Sequence, residues 1–298
     1  MRSASLGIIG GGPAGVTASI YSSRYSVDHV LITKDIGGWA SKAYKIYNYP
    51  GIPQMTGREL MRSYKEHLDS LETKVVFSGV ESIEQDNGNF IVKTDDDIFS
   101  FSQLIYSAGT SPIMLDVPGE RELIGKGVSY CATCDASLFK GKPVMVVGGG
   151  NSALSSAVML SEKASSVIII TNEKDFTAEA AWKKVISSIS NITTIFEDTV
   201  AEISGEDSVE YVMMDSGAMH NVDGVFIEIG FRPYTEPLKT IDVDMKEGYV
   251  TTDESQRTSV KGLYAAGDVV YYPFKQIITA SSQGAMAAYS AYIDSKKE

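Results

Sequence analysis

Two cysteines stand three residues apart in Cys131-Ala132-Thr133-Cys134, Asp135 follows the second, and the chain has no other cysteine. A pair at this spacing can open and close as a disulfide within one turn of chain. Structural zinc is the other common use of such a pair, but it takes four Cys or His ligands. The three histidines, His29, His67 and His220, are scattered without ligand spacing. Redox chemistry is therefore expected. A thiol must lose a proton to attack and gain one to leave, and Asp135 is placed to move that proton. Taken alone, Asp135 also suits a surface turn or a helix cap.

A redox pair needs an electron source, and the glycines suggest where it is held. Leu6-Gly7-Ile8-Ile9 reads as a strand, Gly10-Gly11-Gly12-Pro13-Ala14-Gly15 as a turn, and Val16 to Arg24 as a helix. Gly10, Gly12 and Gly15 fit Gly-x-Gly-x-x-Gly: one for the tight turn, one for close approach of a pyrophosphate, one for helix–strand packing. Phosphates would sit at the positive end of that helix. The next strand, Val30-Leu31-Ile32, ends in Thr33, where a ribose-binding acid often stands, and Thr33 can donate one hydrogen bond.

A second unit repeats the pattern: Val144 to Val147, then Gly148-Gly149-Gly150-Asn151-Ser152-Ala153, then a helical run to Glu162 and a strand Val167 to Ile170. Each glycine cluster alone is compatible with a plain tight turn; two in the same context point to two nucleotide-binding folds. Near the C-terminus, Leu263 to Ala266 leads into Gly267-Asp268, which can offer a carboxylate and an amide to a ribitol or phosphate. The fold class expected is α/β, with two Rossmann-like domains, the second inserted into a discontinuous first. The expected boundaries put 1–112 and 241–298 in the FAD-type domain and 113–240 in the domain carrying the cysteines.

The length of 298 residues and 43% hydrophobic content suit two packed domains. No run approaches the ~20 apolar residues of a membrane span, and no basic leader with an apolar run precedes the first strand, so a cytoplasmic chain is expected. The net charge of −12 argues against nucleic acid and anionic membranes as partners.

With these residues assembled, the chain resembles the low-molecular-weight flavin thioredoxin reductases over essentially its whole length. The resemblance rests on Cys131 to Asp135, Gly148 to Ser152, and Ala265-Ala266-Gly267-Asp268. It extends to Asn48-Tyr49-Pro50-Gly51, Ser107-Ala108-Gly109-Thr110, and Lys275-Gln276-Ile277 with Thr279-Ala280. It implies FAD held by Gly10, Gly12, Pro13, Ala14 and Gly15, by Thr33, Gly38, Trp39, Asn48 and Val80, by Ala108 and Gly109, and by Gly267, Asp268, Lys275, Gln276 and Ile277. It also implies a homodimer and thioredoxin as the disulfide partner. In the family the second cysteine faces the flavin, so Cys134 would take the electrons and Cys131 would attack thioredoxin.

The chain departs from that family in its second domain. Members that use NADPH carry a His-Arg-Arg cluster after the second strand and another Arg a few residues on. Here the stretch reads Thr171-Asn172-Glu173-Lys174-Asp175-Phe176-Thr177-Ala178. A carboxylate at Glu173 would oppose a 2′-phosphate; two unit charges ~4 Å apart interact by about 4 kcal/mol at an effective dielectric near 20. NADPH is therefore not expected as donor. Glu173 can instead accept from an unphosphorylated ribose, which leaves NADH open, or the domain has lost its nucleotide, as in the subgroup that draws on reduced ferredoxin.

Two further departures are Trp39, in place of a glutamine near the flavin, and the aromatics of Tyr271-Tyr272-Pro273-Phe274. Those rings either stack on the flavin or pack in the core. Two other functions compete: a dithiol oxidase using oxygen, whose relatives carry a His where Asp135 stands, and a non-enzymatic flavin and dithiol sensor.

Overall fold

A computed structural model of the chain describes residues 2–43, 46 and 48–297. Two compact units form, Met1–Ser111 with Arg232–Glu298, and Pro112–Phe231.

The first unit opens with β1 (Arg2–Ile9), α1 (Pro13–Arg24) and β2 (His29–Thr33), then α2 (Gly57–Ser70), β3 (Val75–Phe77), β4 (Val80–Asp86), β5 (Asn89–Thr94) and β6 (Ile98–Tyr106). The half of β1 from Leu6 to Ile9 and all of β2 are buried without alternation. Continuous apolar runs of this kind belong to parallel strands covered on both faces. β1 lies between β2 and β6, parallel to both, with Ile8 opposite Leu31 and Ile105. The long β6 pairs antiparallel with β5 over its first half.

A short strand, β7 (Thr110–Pro112), leaves this unit. The second unit holds β8 (Val128–Ser129), the four-residue α3 (Ala132–Asp135), β9 (Pro143–Val147), α4 (Asn151–Ser161), β10 (Ser166–Thr171), α5 (Ala180–Ile186), β11 (Ile192–Phe196), β12 (Val200–Ser204), β13 (Tyr211–Met214), β14 (Met219–Asn221) and β15 (Gly224–Ile227). Five of these strands make a parallel sheet in the order β11-β10-β9-β15-β8, and β12, β13 and β14 form a separate antiparallel sheet.

The chain returns through β16 (Phe231–Pro233), which pairs with β7, and continues with β17 (Met245–Lys246), β18 (Tyr249–Val250), β19 (Leu263–Ala265) and α6 (Ile277–Ser295). β19 joins the second half of β6 in parallel, Ala265 opposite Tyr106, and so completes the first sheet. α6 covers α1 closely: a Cβ on Gly284 would lie 2.1 Å from the Ala14 carbonyl oxygen.

The second unit runs from Pro112 to Phe231, where 113–240 was expected. Leu238 and Ile241 are buried in the core of the first unit, with strands β2, β5 and β6. Burial of those side chains assigns the 232–240 segment to the first unit; a reading based on turn chemistry alone has no access to it.

Candidate functional site

The turn between β1 and α1 forms one wall of a cavity of about 690 Å³ within the first unit. The three glycines there do three different things. Gly10 has φ +104, and a Cβ on it would lie 2.4 Å from the Ser107 carbonyl oxygen. On Gly15 a Cβ would lie 1.8 Å from the Gly10 carbonyl oxygen, while on Gly12 it would meet nothing within 4 Å. Gly10 and Gly15 therefore hold the turn together, and Gly12 leaves open room. Gly12 is also the N-cap of α1 and brings no side-chain cap, so the first amides of the helix are available to an anion.

Gly10, Gly12, Pro13 and Ala14 line the cavity, together with Thr33, Gly38, Trp39, Asn48, Val80, Ala108, Gly109, Gly267, Asp268, Lys275, Gln276 and Ile277. Gly15 is not on its wall; it acts by letting α1 pack. Asn48 Nδ2 donates to Gln276 Oε1 at 2.8 Å. The buried Gln283 of α6 accepts from the Gly267 amide at 2.8 Å and fixes the turn that carries Asp268. Lys275 Nζ donates to the Asp268 carbonyl oxygen at 2.6 Å and to that of Val270 at 2.9 Å. Burial raises the Asp268 carboxyl pKa, opposed by the nearby Lys275 cation. Trp39 Nε1 donates to the Thr110 carbonyl oxygen at 2.9 Å, and the Lys42 ammonium lies 4.1 Å from its ring centre.

Thr33 differs from expectation. Its hydroxyl already donates to the Asp35 carbonyl oxygen at 2.6 Å, because it ends β2 where the chain turns back over the glycines. It has no proton left for a ribose. Sequence reading also missed Lys34, Asp35, Tyr234 and Pro237, all on the cavity wall. Asp35 had a local signal, since its carboxylate accepts from the Gly38 amide in a short turn. Tyr234 and Pro237 arrive after the chain has crossed the second unit and back, so no spacing announces them. The three aromatics at 271–274 are exposed and are not among the cavity-lining residues, which overturns the core-packing reading.

FAD fits this cavity. Its volume is in the usual range for cofactor sites, roughly 300–1,000 Å³. The open room at Gly12, the uncapped helix start and the half-buried Asp268 supply amides and one carboxylate where a dinucleotide needs them.

In the second unit Cys131 and Cys134 are joined as a disulfide, their Cα atoms 5.3 Å apart. Cys131 caps α3: its sulfur accepts from the Cys134 amide at 3.2 Å. Asp135 closes this turn and is held by the buried Ser129 at the end of β8. Ser129 Oγ donates to Asp135 Oδ2 at 2.7 Å and accepts from the Cys131 amide at 3.0 Å. Behind them, Tyr130 donates to the fully buried Glu120 at 2.6 Å. Burial, followed by that hydrogen bond, pushes the Tyr130 phenol pKa up. Glu120 also accepts from the Leu115 and Asp116 amides. Neither Ser129 nor Glu120 carried a sequence signal. Cys134 is exposed and Cys131 half-buried. Among the described residues, no group of three or more His, Cys, Asp or Glu side chains is placed to hold a metal.

The second glycine turn repeats the first. Gly148 has φ +136, and a Cβ on it would lie 2.3 Å from the Glu228 carbonyl oxygen. The Thr177 and Ala178 amides donate to the Gly149 carbonyl oxygen, which lays the 172–178 segment back over the turn. Along that segment Glu173 is exposed, Asp175 pairs with Lys183 at 2.7 Å, and Lys174, largely in solvent, lies 4.0 Å from Glu197.

The pyridine nucleotide-disulphide oxidoreductase model matches residues 4–284. The thioredoxin reductase of Bacillus subtilis is 34% identical over 300 residues, spanning 98% of this chain and 95% of that protein. The crystal structure of T. acidophilum thioredoxin reductase is 37% identical with a TM-score of 0.89, covering 99% of this chain and 100% of that one. A ferredoxin-flavin thioredoxin reductase from Clostridium acetobutylicum is 29% identical with a TM-score of 0.57, covering all of both chains. The chain therefore belongs to the pyridine nucleotide-disulphide oxidoreductase family and is a flavoprotein disulfide oxidoreductase of the thioredoxin reductase kind.

Proposed function

We propose that this enzyme reduces the disulfide of a thioredoxin through Cys131 and Cys134, and that its electrons do not come from NADPH. The observation that carries the first half is the coupling of the disulfide to Asp135 through Ser129. FAD, when bound and reduced by the donor, would supply the two electrons that open the Cys131–Cys134 bond. With two protons, that bond becomes two thiols. Cys131 then attacks one sulfur of the thioredoxin disulfide as a thiolate, the other sulfur leaves and takes a proton, and Cys134 closes on Cys131 to free the second thioredoxin thiol. The Cys134 amide donates to the Cys131 sulfur in the disulfide form. Asp135 exchanges the protons, oriented by Ser129.

The second half rests on the 172–178 segment. Its one cation, Lys174, faces Glu197, and Glu173 and Asp175 bring carboxylates where a 2′-phosphate needs cations. Reduced ferredoxin is the donor this reading favours, in keeping with the name of the clostridial neighbour. NADH is the second reading, on the exposed Glu173 as a ribose acceptor. A homodimer in the cytoplasm is the proposed working state.

The test is anaerobic mixing of the oxidised, FAD-loaded protein with NADPH, NADH and reduced ferredoxin in turn, with the flavin absorbance followed. Bleaching by ferredoxin and not by NADPH is expected. Rapid bleaching by NADPH would sink the donor assignment. Oxygen consumption with a small dithiol, in place of insulin reduction through thioredoxin, would point to an oxidase.

A further inference from the structure

Two carboxylates from distant parts of the second unit are bonded to the polar side chains of its glycine turn. Glu228, the residue after β15, accepts from the hydroxyls of Ser152 and Ser156, the latter at 2.7 Å, in the first turns of α4. Glu179 Oε1 accepts from Asn151 Nδ2 at 3.1 Å, and its amide donates to Asn151 Oδ1 at 2.8 Å. Asn151 and Ser152 are the first two residues of α4. They are the side chains that a pyrophosphate at this helix start would reach.

A Cβ on Gly12 meets nothing within 4 Å and one on Gly150 meets the Thr177 hydroxyl at 3.8 Å, an ordinary contact, so both turns leave room and the two units differ in their acids. No acid of the first unit takes the place of Glu228, since the residue after β6 is Ser107, whose hydroxyl donates to the Ile9 carbonyl oxygen.

We infer that Glu228 and Glu179 are specificity determinants that close the second glycine turn to dinucleotides. This rests on the reading of a donor other than NADPH, and extends it to NADH. The two carboxylates take up the side chains of Asn151, Ser152 and Ser156, leave the first amides of α4 without a side-chain cap, and set negative charge beside the place a pyrophosphate would bring its own. Burial raises the Glu228 carboxyl pKa, and the two serine hydrogen bonds oppose the rise.

The test is calorimetric titration of the FAD-loaded protein with NAD⁺ and NADP⁺, which bind without giving up a hydride. Glu228→Gln keeps the shape, accepts from one serine hydroxyl, donates from its amide nitrogen to the other, and removes the charge. It is expected to tighten NAD⁺ binding at least about tenfold over the native protein, the scale of one near like charge removed. Glu179→Gln should act in the same direction, and the double variant further. NADP⁺ should gain less, because Glu173 still opposes its 2′-phosphate. Glu162→Gln, at the opposite end of α4, changes net charge equally and should have no effect. Flavin content and circular dichroism report folding of each variant, and Glu179 lies on an exposed segment that tolerates the change. Unchanged NAD⁺ affinity in both single variants would overturn the inference, as would micromolar NAD⁺ binding by the native protein. The donor reading fails separately, on bleaching of the native flavin by NADPH.

Discussion

Ser129 and Asp135 are joined by a 2.7 Å hydrogen bond, and the same serine oxygen accepts from the amide of Cys131. Asp135, the proposed proton carrier, and the backbone of Cys131, the proposed attacking cysteine, thus share one buried hydroxyl. Asp135→Asn should fold and keep its flavin, yet reduce thioredoxin ~100-fold more slowly, the usual scale for loss of a positioned acid–base group. Ser129→Ala removes one hydrogen bond from each neighbour; it should cost about 1 kcal/mol of stability and a smaller share of turnover. Insulin reduction coupled through thioredoxin measures both. Native turnover in Asp135→Asn would remove Asp135 from the mechanism.

Cys134→Ser should retain FAD, because no residue of the cavity is touched, and should lose thioredoxin reduction altogether. Flavin absorbance after gel filtration and the insulin assay check the two halves. Residual turnover at the native level would show that the disulfide is not on the electron path.

The glycines of the first turn should separate binding from folding. Gly12→Val has an ordinary extended backbone at φ −72 and open space around its side chain, so it should fold normally. It should nevertheless weaken FAD at least about tenfold by filling the approach to α1. Gly15→Ala meets the Gly10 carbonyl oxygen at 1.8 Å and should destabilise the unit itself by about 1–3 kcal/mol. Flavin titration and urea unfolding distinguish them; equal behaviour of the two variants would contradict the assignment.

Asp294 on α6 accepts from Arg257 Nε at 2.7 Å and from the Tyr264 hydroxyl at 3.0 Å. The Arg257 hydrogen bond, first among its causes, holds the Asp294 carboxyl down at about 2. A carboxyl with a lowered folded-state pKa stabilises the fold fully above its unfolded value near 4, and loses that contribution as pH falls toward 2. Asp294→Asn should therefore cost about 1 kcal/mol at pH 7, since solvent screens this partly exposed pair, with the gap from the native protein closing between pH 4 and pH 2. Urea unfolding across that range checks it; a gap that persists at pH 2 would assign the effect to packing.

Much of this molecule is legible locally. The dithiol, both glycine turns and Gly267-Asp268 are short motifs whose behaviour depends on neighbours in the chain: a backbone at positive φ, a helix start, two sulfurs within one turn. The loss of cations at 172–178 is legible for the same reason. Strand register decided the rest. It set Ala265 beside Tyr106 and so brought Asp268 to the first cavity. It drew Leu238 and Ile241 into the first core, which moved the domain boundary to Phe231. It also placed Glu228 under Ser152 and Ser156, across 72 residues from the latter. Spacing in the chain carries no record of such pairs, because burial and side-chain hydrogen bonds between distant segments exist only once the sheets have formed.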